Sequence, residues 1–146
     1  MHIKSGLSFL IILLVGACQE AKVENQYSYF QAIENRDTTF LRLQISEGRF
    51  FGDYVFAKGN SYHVRGDFKG ETTGDTLSGM LVYTPYGHKN SKKVAFALLK
   101  SGDKLYEGKG IQTIYMGVPY YPPTSLSFDS HRIFTPSEKH RVFTKE

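Results

Sequence analysis

Side chains able to do chemistry are few and scattered in this chain of 146 residues. Its single cysteine, Cys18, ends the run Val15-Gly16-Ala17-Cys18. A lone thiol has no disulfide partner within the chain, so it points to modification. No serine stands in a G-x-S-x-G elbow. Metal binding needs His, Asp or Glu converging at ligand spacing, yet His63, His88, His131 and His140 are dispersed, with no H-x-H or H-x-x-x-H. Asp53, Asp67, Asp75 and Glu107 could supply a glycosidase-type carboxylate pair, but each reads as a strand-face or turn residue. The expectation is a non-catalytic protein without metal or cofactor.

Contact chemistry is better represented. The stretch YMGVPYYPPTS, residues 115–125, joins three tyrosines and three prolines in a stiff, irregular connection. Aromatic platforms on such loops stack on sugars or apolar ligands, which marks Tyr120 and Tyr121 as candidate ligand contacts. The plainer alternative is a segment that lies across one end of the fold and plugs it. In PYGHKNSKK, residues 85–93, Tyr86 and His88 stand among three lysines. That combination suits an acidic ligand or anionic headgroups, or simply a solvated turn. Arg65-Gly66-Asp67 spells an adhesion tripeptide, but alternation places it in mid-strand, where adhesion is not expected.

The N-terminus reads as an address. Lys4 precedes an apolar segment from Leu7 to Val15, and small residues follow, which is the layout of a secretory signal. A membrane-spanning helix takes about 20 apolar residues, and this run is too short. Val15-Gly16-Ala17-Cys18 resembles the bacterial lipobox. The resemblance implies cleavage between Ala17 and Cys18 and acylation of Cys18, attaching the protein to the cell envelope. Gln19 stands where an inner-membrane retention aspartate would be, so the outer membrane is the more expected site. Residues 1–17 are then the signal, 18–26 a lipidated tether and 27–146 a single domain.

Loss of Lys4 with the signal lowers the formal charge from +4 to +3. Nucleic-acid binding wants a basic face, and only Lys89, Lys92 and Lys93 cluster, so no nucleic-acid partner is expected. The expected partners are the membrane, through the lipid anchor, and a small molecule, glycan or protein bound by a non-catalytic module; the alternatives are a structural envelope protein or a hydrolase with an acidic site.

Periodicity of two dominates the rest, which argues for strands. Leu41, Leu43 and Ile45 share one face of TTFLRLQIS. Tyr62, Val64, Gly66 and Phe68 oppose His63, Arg65, Asp67 and Lys69. Leu77, Gly79, Leu81 and Tyr83 go together, as do Val94, Phe96 and Leu98. RFFGDYVFA is apolar on both faces, the mark of a doubly covered strand. Short Gly, Asn and Asp connections separate these runs, as in serial hairpins. Gly66 and Gly79 sit on apolar faces, where glycine lets a sheet coil. The expected fold is all-β: about eight to ten strands in one strongly curled antiparallel meander, open or nearly closed into a barrel.

The succession ENRDTTFLRLQI, FFGDYVFAKGNSYHVRGDFKGETTGDTLSGMLVYTPYG and NSKKVAFALLKSGDKLYEGKG resembles a group of small Bacteroidota lipoproteins with no established activity. The likeness spans roughly Tyr29 to Gly110 and departs at Pro85-Tyr86-Gly87-His88, where that group carries a Ser-Glu-Gly-like turn. It implies an all-β domain on a lipid anchor and brings no activity.

Overall fold

The computed structural model describes residues 26–144; Ala17 and Cys18 lie outside the described residues. Ten strands form within them. They are β1 (Ser28–Glu34), β2 (Asp37–Ser46), β3 (Arg49–Lys58), β4 (Tyr62–Thr73) and β5 (Thr76–Tyr83), followed by β6 (Lys92–Ser101), β7 (Lys104–Glu107), β8 (Thr113–Tyr115), β9 (Val118–Tyr120) and β10 (Ile133–Pro136). One 3-10 turn, Arg141–Phe143, ends the described chain. Eight strands close a barrel in the order β1-β10-β7-β6-β5-β4-β3-β2, while β8 and β9 pair as a separate hairpin. The curled meander therefore closes fully: β10 pairs antiparallel with both β7 and β1.

Alternation decides which residues enter the barrel. Leu41 and Leu43 point inward from β2, Phe50 from β3, Phe68 from β4, Leu77 and Leu81 from β5, and Phe96 and Leu98 from β6. Full burial of each such side chain stabilises by about 1.5–3 kcal/mol. Strand β3, expected to be covered on both faces, is so covered only in its second half, since Phe51 on the outward face remains 39% exposed. Its outward Val55 and Ala57 pack with Phe40 under Val142 of the C-terminal segment, while Phe50 and Tyr54 face inward.

Close strand approach depends on two facing glycines. Gly70 and Gly79 are register partners across β4 and β5. A Cβ on Gly79 would lie 2.1 Å from Lys69 O and 2.6 Å from Gly70 Cα. A Cβ on Gly70 would also meet the Phe50 ring at 2.6 Å. Small residues here let the wall bend sharply while Phe50 fills the space their side chains leave.

The two ends of the barrel differ. At one end the tight turns Glu47-Gly48, Gly74-Asp75 and Gly102-Asp103 join strands. Phe50, Leu77 and Leu105, each fully buried, are the second residues of the strands that leave those turns. At the other end stand the 59–61 turn, the 84–91 loop and the long 108–132 excursion that carries β8 and β9. The excursion covers the outer wall instead of plugging the end. Gln112 Oε1 accepts from Ala95 N at 2.8 Å, β9 lies against β5 and β6, and Leu126 and Phe128 crowd Gly108 beside Ala97.

Candidate functional site

The end of the barrel opposite the Glu47-Gly48, Gly74-Asp75 and Gly102-Asp103 turns holds a cavity of about 490 Å³. Its walls are the inward residues of the last turns of β3 to β6: Tyr54 and Phe56, Tyr62 and Val64, Leu81 and Tyr83, and Val94. Pro85 and Tyr86 of the 84–91 loop complete it. The period of two that fills the lower barrel with leucine and phenylalanine supplies tyrosine here. Tyr86 leans over the rim and stacks on Tyr62, with ring centroids 4.0 Å apart and planes inclined by 14°. Among the described residues that line this cavity none is charged.

On the other side of the same end, three charged groups share the inward face. Glu34 ends β1, Glu107 ends β7, and Arg132 stands just before β10. Arg132 Nε donates to Glu34 Oε2 at 2.7 Å, and its Nη1 to Glu107 Oε1 at 3.5 Å. Burial alone would weaken the guanidinium's hold on its proton, but Glu107 and Glu34 outweigh it, so Arg132 is charged more firmly than usual. Burial raises the Glu107 carboxyl above its ordinary range, against the pull of Arg132 and Lys109.

Tyr54 links the two halves. It lines the cavity, and burial raises its hydroxyl pKa, with Arg132 acting to lower it and Glu107 to raise it. Thr39 Oγ1, itself buried, bears on that hydroxyl without meeting full hydrogen-bond geometry. The arrangement offers stacking faces and phenolic donors to a guest, with the nearby charges already engaged with one another.

Of the residues singled out from sequence, Tyr86 belongs to this cavity. His88 is exposed farther along the same loop, its backbone N–H donating to Pro85 O at 3.0 Å. Tyr121 is half-buried close enough to Glu107 for burial, and then that carboxylate, to raise its hydroxyl pKa. Tyr120 pairs with Thr113 in the β8–β9 hairpin and is absent from the cavity wall. Glu107, read from sequence as a strand-face or turn residue, ends β7 on its inward face beside Arg132. Tyr54, Tyr62, Tyr83, Glu34 and Arg132 were not singled out. A signal for them existed: Glu107 is in phase with Leu105, Arg132 with Phe134, and Glu34 with Ala32.

Arg65 and Asp67 lie on the outer wall, as alternation required. There they line a depression of about 1060 Å³ under the C-terminal segment. Arg65 Nη1 donates to Val142 O at 2.6 Å, so the arginine fastens that segment down. Arg42 on the same wall pairs with Asp53 and sits 4.6 Å from the Tyr27 ring centroid.

Comparison with protein-family models, curated proteins and solved structures finds no match for this chain. Function must be argued from the site. Among the described residues no group of three or more His, Cys, Asp or Glu is placed to hold a metal ion. No helix among them is long and apolar enough to cross a membrane.

Proposed function

We propose that this protein is a lipid-anchored envelope lipoprotein, of the kind its sequence resembles, whose barrel binds a small neutral ring-bearing molecule. Cys18 is the attachment point. The observation that carries the binding reading is the uncharged, tyrosine-walled cavity of about 490 Å³ at one end of the barrel. Small-molecule sites are concave and mostly apolar, with a few polar groups to orient the guest, and eight-stranded barrels are wide enough to hold one small ligand. A sugar or aromatic ring satisfies both the stacking faces and the phenol hydroxyls. A hydrolase would need carboxylates left free to act, whereas Glu34 and Glu107 both converge on Arg132.

Native mass spectrometry on the chain purified from its own envelope tests the ligand. A retained neutral mass that disappears in a Tyr54→Ala, Tyr83→Ala variant supports binding. A clean apo mass that no sugar or aromatic panel shifts overturns it. Cys18→Ala tests the anchor separately: the variant leaves the membrane fraction, and one that stays there refutes attachment through Cys18.

A further inference from the structure

The β8–β9 hairpin displays apolar side chains that nothing in the barrel covers. Ile114, Tyr115, Met116 and Val118 are all exposed, Met116 at 85%, and Ile111 beside them is exposed as well. Contiguous exposed apolar surface of this kind marks an interaction site more often than it marks chance.

The turn at its tip sharpens the point. Tyr115 and Val118 are paired, so Met116 and Gly117 form a two-residue loop, with φ of 49° and 79°. Such turns favour Asn-Gly or Asp-Gly, because both residues must be left-handed. Methionine there is conformationally costly, and at this exposure it gains almost nothing from the domain's own packing.

Charge identifies the outside surface. From Thr76 to Gly102 the chain carries Lys89, Lys92, Lys93 and Lys100 and no acidic residue, and from Gly110 to Phe128 it carries no charge at all. These segments lie together, since β9 rests against β5 and β6 and Gln112 bonds to Ala95, two residues from Lys93 on the same outward face. An apolar, tyrosine-bearing hairpin packed on a lysine-bearing strand fits the interface of an anionic bilayer, where apolar burial and headgroup attraction add. An acidic protein groove would offer the charge but has nothing on this surface to select it.

We infer that the β8–β9 hairpin seats in an anionic lipid surface, with Met116 and Tyr115 entering the interface and Lys89 and Lys93 lying against the headgroups. This contact is independent of the acyl anchor and of any guest in the barrel.

Residues 18–146 with Cys18→Ser, and hence no acyl chain, provide the test. Co-sedimentation is measured with vesicles of phosphatidylcholine containing about one-quarter phosphatidylglycerol, and with phosphatidylcholine alone. The chain pellets with the anionic vesicles and is released as salt is raised. Met116→Asp lowers the affinity by at least about tenfold while suiting the turn better than methionine does, so loss of binding is not loss of fold. Lys89→Glu with Lys93→Glu removes the salt-sensitive part. Failure of the parent chain to pellet overturns the inference, and so does a Met116→Asp variant that pellets equally. Met116-dependent capture of a detergent-solubilised protein by a chain that ignores vesicles overturns it in favour of a protein partner.

Discussion

Tyr62 and Tyr86 stack face to face across the rim of the barrel, one from the first residue of β4 and the other from the 84–91 loop. Tyr86 is 66% exposed, so the stack contributes little to the core. An aromatic pair adds about 0.5–1.5 kcal/mol. Its position over an uncharged cavity suits a lid for a bound ring.

Tyr86→Ala therefore separates binding from stability. Under the proposed binding function the variant loses the guest that the parent retains, while its thermal midpoint falls by less than about 5 °C. Native mass spectrometry and a melting curve read the two effects. A large drop in midpoint with the guest retained would assign Tyr86 to the fold instead.

Glu107 carries a pH signature. Its pKa is raised in the folded protein, chiefly by burial, from an ordinary 4.5. The folded state holds that proton more tightly than the unfolded chain does. The associated stability is present below the ordinary value and is lost as pH rises through the folded one. Glu107→Gln does not titrate, so relative to the parent it gains stability as pH rises from below 4.5 to neutrality. Urea unfolding of both proteins at the two ends of that window checks the trend; a constant difference would refute it.

The facing glycines set a steric limit. Gly79→Ala drives a methyl group against Lys69 O and Gly70, forcing β4 and β5 apart. The expected cost is at least about 1–3 kcal/mol, the range for overpacking. Ser78→Ala, one residue away on the outward face, stays within about 0.5 kcal/mol. Denaturant midpoints of the two variants make the comparison, and equal midpoints would remove the close approach as a determinant of curvature.

Arg65 fastens the end of the chain. Arg65→Ala removes the bond to Val142 O, at a cost of about 1 kcal/mol. Hydrogen exchange at Val142 and Phe143 then accelerates while amides in β3 and β4 keep their protection. Uniform acceleration throughout the barrel would mean that the segment and the barrel unfold as one unit.

The strands were legible in the sequence because alternation is local. Leu41 and Leu43, or Val94, Phe96 and Leu98, declare a buried face within one strand, and Glu47-Gly48 declares the turn that follows. Gly66 and Gly79 on apolar faces even signalled the curvature. The site was less legible because its parts are distant in sequence: Tyr54, Tyr62, Tyr83 and Tyr86 meet only when β3 to β6 are in register. Tyr120 drew notice for its composition, yet register placed it on an outer hairpin.

By itself the sequence determined an all-β chain with serial hairpins, a coiled sheet, and a Cys18 motif with the form of a lipid attachment point. Each of these follows from neighbours a few residues apart. Only the tertiary structure decided that the sheet closes through β10, that the tyrosine–proline excursion lies outside the wall, and that Arg132 meets Glu34 across 98 residues of sequence. Closure is a property of all eight strands together, so no single strand's pattern could carry it.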